Sequence, residues 1–385
     1  MSASGTPETG MPSAALAGVI ASSTVFGLAQ GLSYPLLTFL MQKQGLSSGA
    51  IGLSAAMTPL GLMTSSLFVP RLVRLFGPRG LAVGSSLSAA LLFLFIGLTQ
   101  NWLAWYPARF LLGLAVNPLY ILGEVWLIAL APPARRGRIL GIFNAVTGAG
   151  YASGPLTLAV LGSGGWPPFL VGSLGFCGCA LILHFAANRF GRFDDGARHG
   201  GVLHFWLVAP ALLLAVVVAA ATQQSMYSLL PVFGKGYLIG EATLATLISV
   251  MSVGNIVLQI PLGMLAERFG GRRMILLCAA TNMTAALLLP VIMATPLQWP
   301  VLLLMGGVGY GVYTMALVEL GNRFSGSALV VGNAAFGLMW GVGGMIGPPG
   351  SGLLMQIAGP VGLPAVVVML SAVLIAFSVV RRRGI

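Results

Sequence analysis

Hydrophobic runs of roughly 20 residues recur from one end of the chain to the other, each long enough to cross a bilayer as a helix. Of the 385 residues, 57% are hydrophobic and only 7% charged, far from the balance of a soluble domain. No soluble core of this length hides so many apolar side chains. The chain reads as an all-α polytopic membrane protein. Its 54 glycines fit close helix contact in lipid, where small residues let backbones approach.

Twelve spans are expected, at about 14–40, 48–69, 81–98, 103–131, 139–161 and 169–187, then 204–232, 242–265, 274–294, 301–320, 329–357 and 363–380. Residues 1–13 are polar, lack a signal-peptide pattern and read as a disordered tail. The polar stretch 188–203 reads as a linker between two six-helix bundles, 14–187 and 204–385, the second ending in a short basic tail. Cys177, Cys179 and Cys278 all fall inside apolar runs and read as packing residues, with no disulfide or metal framework.

Arginine placement orients the chain. With the N-terminus cytoplasmic, 16 of the 19 basic residues fall in inside connections or the C-terminal tail. Lys43 and Lys235 fall outside, and Arg109 lies within a span. This bias is the positive-inside rule, and it accounts for the net charge of +12 without a nucleic-acid partner. Trp102, Trp105, Trp166 and Trp299 then cluster at the outer ends as an interfacial belt. The expected location is the cell inner membrane, with both termini and the linker cytoplasmic.

The chain also repeats itself at an offset of 193 residues. Residues 70–80, Pro-Arg-Leu-Val-Arg-Leu-Phe-Gly-Pro-Arg-Gly, answer to 263–273, Gly-Met-Leu-Ala-Glu-Arg-Phe-Gly-Gly-Arg-Arg. Gly148, Gly150, Gly154 and Pro155 answer to Gly341, Gly343, Gly347 and Pro348. Gln30 and Tyr34 answer to Gln223 and Tyr227, and Tyr120 to Tyr313. Six spans per copy is an even number, so both copies face the same way. Two parallel bundles related by an axis along the membrane normal would then enclose a shared cavity.

These motifs resemble the major facilitator superfamily of transporters over nearly the whole chain. Residues 263–273 match its loop motif, with Glu267 where Asp is usual; in the first copy Arg74 takes the acidic position. Arg109-Phe-Leu-Leu-Gly113 is similar to the family's Arg-x-x-x-Gly motif. The glycines with Gly154-Pro155 resemble the motif of antiporters and exporters, and Glu124 followed by Arg136-Gly137-Arg138 resembles a pattern at the inner end of the fourth helix. The resemblance implies two pseudo-symmetric six-helix bundles and alternating access.

Candidate residues follow from residue chemistry. Gln30 and Tyr34 lie four apart and share a helix face, as do Gln223 and Tyr227, offering amides and phenols to a midplane cavity. Gln224, Asn255, Asn333 and Trp340 are further candidates for its lining. A guanidinium inside a span is costly and points to function by default. For Arg109 two readings stay open: a structural role bonded to amides such as Asn117, or positive charge offered to an anionic substrate. Arg74, Arg79, Glu124, Glu267, Arg268, Arg272, Arg273, Glu319 and Arg323 form the expected gating or coupling set. In it Glu124 meets Arg74 or Arg79, and Glu319 meets Arg272, Arg273 or Arg323.

No nucleophile, metal cluster or acid–base set converges, so catalysis and cofactors are not expected, and no filter segment suggests a channel. The expectation is a monomeric secondary transporter exporting small amphipathic organic compounds, with protons as the coupling ion. The alternative is an importer or exchanger of small organic anions using Arg109; a transport-shaped receptor is the third reading.

Overall fold

The computed structural model describes residues 11–99, 101–130, 136–186 and 202–380. The described residues form helices joined by short turns, with no strand among them. The first half holds α1 (Met11–Lys43), α2 (Ser48–Leu98), α3 (Trp102–Leu130), α4 (Arg136–Leu161) and α5 (Pro167–Ala186). The second holds α6 (Val202–Val208), α7 (Pro210–Lys235), α8 (Glu241–Val257), α9 (Gln259–Phe269), α10 (Gly271–Ile292), α11 (Gln298–Arg323), α12 (Gly326–Ala358) and α13 (Gly362–Val380). Eight helices are long and apolar enough to cross a membrane, nine if the bent pair α8–α9 makes one span. α2 runs for 51 residues and folds at Gly77 into two arms. With those arms separated, and with α4 and α12 added at 26 and 33 residues, every expected span corresponds to a helix, an arm or the bent pair.

The two basic connections are tighter than the sequence suggests. Residues 70–76 and 266–269 fall between the expected spans, yet they continue the preceding helices. The chain reverses instead at single glycines, Gly77 (φ 69, ψ 159) and Gly270 (φ 85, ψ 144). This combination of positive φ with extended ψ is open essentially to glycine alone. The pivots are symmetry mates at the offset of 193. Two other expectations shift. The seventh span does not run on from residue 204: α6 ends at Val208, and α7 begins at Pro210. Trp105 is not part of a surface belt, since it is 1% exposed and donates its indole N–H to the Thr99 carbonyl at 2.7 Å. Trp102 and Trp166 do stay exposed. The expected tail 1–13 and linker 188–203 fall largely outside the described residues.

Glycine contacts carry the repeat into three dimensions. In the first half, a methyl group added at Gly150 would meet the Thr24 carbonyl, and one at Gly154 the Leu28 carbonyl. In the second half, Gly343 and Gly347 stand in the same way against the carbonyls of Val217 and Ala221. Gly61 faces the Phe110 carbonyl as Gly254 faces that of Leu303; Gly113 faces Thr58 as Gly306 faces Met251. Every member of each pair lies 193 residues from its mate. Contacts between halves obey the same rule with partners exchanged: Gly148 lies on Ile256, and Gly341 on Met63. The stripe Gly148, Gly150, Gly154 with Pro155 thus packs α4 on α1 and α8. Its mate Gly341, Gly343, Gly347 with Pro348 packs α12 on α7 and α2.

A side chain forced into such a backbone contact must push two helices apart. Overpacking of this kind typically costs about 1–3 kcal/mol. Gly343→Val should lower the thermal midpoint and the monodisperse yield of the purified protein, whereas Gly178→Ala, where an added Cβ meets nothing within 4 Å, should change neither.

Candidate functional site

The halves meet toward the face opposite the arginines. There the Thr38 hydroxyl donates to the Ser228 carbonyl at 2.7 Å and the Ser48 hydroxyl to the Gly352 carbonyl at 2.8 Å. Gly52 lies against the Pro348 carbonyl. Lys43 Nζ sits 3.0 Å from Glu241 Oε2 and donates to Ser163 Oγ at 2.7 Å, while the Ser163 N–H donates to Glu241 Oε1 at 2.6 Å. That knot joins the ends of α1, α4 and α8. Sequence reasoning passed over Lys43 and Glu241 as a pair; their rarity as opposite charges on a face whose other charge is Lys235 was the available signal.

At the arginine-rich face three contacts between described residues run within one half. Arg79 meets His184 at 3.0 Å, Arg323 Nε donates to Glu319 Oε1 at 2.6 Å, and Arg272 donates to the Ser378 carbonyl at 2.8 Å. Glu319 therefore pairs along its own helix, and Arg272 turns to α13 instead of Glu319. Glu267 and Arg273 are exposed, and Arg268 lies over the Phe269 ring, 5.5 Å from its centroid. Arg74 is exposed on the last turns of α2's first arm.

Between these faces lies a cleft bordered by α3 and α11, which are not packed along each other. Tyr120 on α3 is 51% exposed and lies beside Glu124 one turn on, the carboxylate expected to meet Arg74 or Arg79. Both lie within electrostatic reach of Tyr310 and Tyr313 on α11. Tyr310 and Tyr313 stack edge to face with Trp340 of α12, ring centroids 5.8 and 4.9 Å apart. Tyr310 was missed, though it lies one turn from Tyr313.

The amide–phenol stripes are split by the structure. Tyr34 approaches Gln224 across the halves. Tyr227 instead meets Ser252 Oγ at 2.6 Å within its own half, with Gln223 nearby. The Oε1 atoms of Gln30 and Gln223 are buried without a partner, as are Thr222 Oγ1 and Asn282 Oδ1. Thr222, Gln223 and Asn282 border a cavity of about 10 Å³, close to the least space that admits a water. Asn117 donates to Ser66 Oγ at 3.0 Å, and Gln259 donates to Asn255 Oδ1 at 3.3 Å; both bonds lock helices inside a half. Asn333 is exposed on α12.

Arg109 is fully buried at 0% exposure. Its partners are the Ser54 hydroxyl at 3.1 Å and the Tyr34 carbonyl at 3.3 Å, not Asn117. Its Nε finds no acceptor, and no carboxylate pairs with it among the described residues. Burying a charge on neutral partners costs several kcal/mol. Through Tyr34 it is linked to Gln224 at the junction of the halves.

Similarity to known proteins completes the picture. The family model of the Major Facilitator Superfamily matches residues 19–237 and again 212–384. The chain belongs to that superfamily. Among its relatives are the MFS-type transporters YfkF of Bacillus subtilis, 23% identical over 344 residues and 86% of each chain, and YcaD of Salmonella typhimurium, 24% identical over 328 residues, 83% of this chain and 84% of the relative. In fold it is similar to the nucleoside transporter NupG (TM-score 0.75, 12% identity, 95% of this chain and 98% of that one). It is also similar to a bacterial homologue of the human lysosomal transporter Spinster in an inward-facing, unoccupied conformation (TM-score 0.72, 13% identity, 97% and 96%). The protein is an MFS-type transporter.

The knot at Lys43 and Glu241 generates a prediction. A partly exposed ion pair contributes about 0–1 kcal/mol, which is enough to shift a near-balanced equilibrium. Glu241→Gln should raise the labelling rate of Thr38→Cys from the opposite face about two- to fivefold. An unchanged rate would mean the knot does not hold that face shut.

Proposed function

We propose that this transporter exports small amphipathic organic compounds by alternating access, exchanging them for protons. The observation that carries this reading is the cleft: polar and aromatic groups border it, while the face beyond it is sealed. Phenols, an indole and a carboxylate suit an amphipathic ligand better than a strongly hydrated ion, whose water they could not replace. With the arginine-rich face cytoplasmic, as the positive-inside rule directs, the cleft loads from the cytoplasm of the cell whose inner membrane holds the protein. Glu124 is the carboxylate best situated to carry the proton. Glu267, Arg268, Arg272, Arg273, Glu319, Arg323, Arg74 and Arg79 would meet across the halves when that face closes. Gln30, Tyr34, Gln223, Gln224, Tyr227 and Trp340 would orient the ligand.

One observation favours a second reading. Arg109 carries a charge with no acidic partner, which suits import or exchange of a small organic anion once the sealed face opens. Flux in proteoliposomes under an imposed pH gradient distinguishes the two, measured with Gln30→Ala, Gln223→Ala, Tyr227→Phe and Arg109→Gln alongside folded yield. Export predicts proton-driven flux of neutral or cationic compounds, reduced about tenfold or more in the Gln variants at normal yield. Flux of anions alone, abolished by Arg109→Gln, would transfer the assignment to the second reading. If flux is absent altogether, the chain is a transport-shaped receptor.

A further inference from the structure

We propose that Glu124 with Tyr120, Tyr310, Tyr313 and Trp340 forms a box for an organic cation, so that the transported compound is amphipathic and positively charged. This rests on the export reading and narrows it to a substrate class. Glu124 is exposed on α3 and lies beside Tyr120, and among the residues whose side chains are described no cation pairs with it. Its electrostatic neighbours are phenols from the other half. Tyr310, Tyr313 and Trp340 are partly exposed and mutually in contact. A carboxylate ringed by aromatic groups is the arrangement that attracts a cation, through the charge itself and through the negative ring faces.

The charges nearby argue the same way. Arg109, the one arginine inside a span, is sealed at 0% exposure and out of a ligand's reach in this state, so the cleft presents a negative group and hides the positive one. Arg74, Arg268, Arg273 and Arg323 at the rim are exposed, and physiological salt screens exposed charges over about 8 Å. A symmetric scaffold has also been broken here. Tyr120 and Tyr313 are mates, but the mate of Glu124 is Leu317, so only one half supplies the carboxylate. Proton and cation would compete for that single group, which couples their movements in opposite directions.

Two ions of one shape and opposite charge test this directly. Tetraphenylphosphonium and tetraphenylborate are titrated into the purified protein, with binding read by calorimetry. The wild type should bind the phosphonium about tenfold or more tightly than the borate. Glu124→Gln should erase that preference, Glu124→Asp should retain most of it, and Trp340→Leu should weaken the phosphonium more than the borate. Gel filtration establishes that each variant is folded; if Glu124→Gln is not, the wild-type preference and Trp340→Leu decide. A wild type that binds both ions equally, prefers the borate or binds neither overturns the cation box, as does an unchanged preference in folded Glu124→Gln. Proton-driven flux of a neutral compound in the same preparation would then keep export standing without a cation; its absence would remove the export reading as well.

Discussion

Bare glycine against a neighbour's carbonyl is the contact on which this structure depends. In lipid there is no solvent to squeeze helices together, so attraction must come from dispersion and close backbone approach. Gly150 on Thr24, Gly343 on Val217 and Gly52 on Pro348 bring helices closer than any side chain would allow. These contacts lack the directional bonds that would fix one relative position. α12 uses one glycine edge for α7 within its half and another for α2 across the junction. The same helix is therefore both scaffold and bearing.

On that symmetric scaffold, the polar groups are arranged without symmetry. Arg109 has Leu302 as its mate, and Leu302 is buried with no charge. Glu124 has Leu317. Among the described residues the sealed face carries one ion pair, Lys43 with Glu241, and no symmetry-matched second one. Alternating access needs two states of similar energy, which a duplicated frame supplies, while binding one compound needs a particular set of groups, which duplication alone does not.

The fold was legible because the constraints behind it are one-dimensional. Length of apolar run, arginine placement and the offset of 193 are all readable without knowing where a side chain points. Even the pivots Gly77 and Gly270 stood in the repeated Phe-Gly pair, though their backbone geometry did not. The site was less legible for a physical reason. A helix in lipid is apolar on most faces, so periodicity does not say which face turns to the cleft. Gln30 and Tyr34 share a stripe, yet Tyr34 reaches Gln224 while Gln30 stays buried and unpaired. Arg109 was recognisable as costly, but its choice of Ser54 over Asn117 depends on how α2 and α3 are rotated. Glu124 and Tyr120, one turn apart, were present in the sequence as a pair and drew no attention as one.

The exact register of the two halves has a practical use. The contacts of Gly61, Gly113, Gly150 and Gly154 in the first half have counterparts in the second, at Gly254, Gly306, Gly343 and Gly347, with equivalent backbone partners and a different chemical neighbourhood. A matched pair of substitutions, one in each half, is thus an internal control carried by the molecule itself. Effects that appear equally in both report on helix approach in lipid, and effects confined to one report on whatever that half alone provides. Duplication, usually discussed as ancestry, here serves as an experimental design.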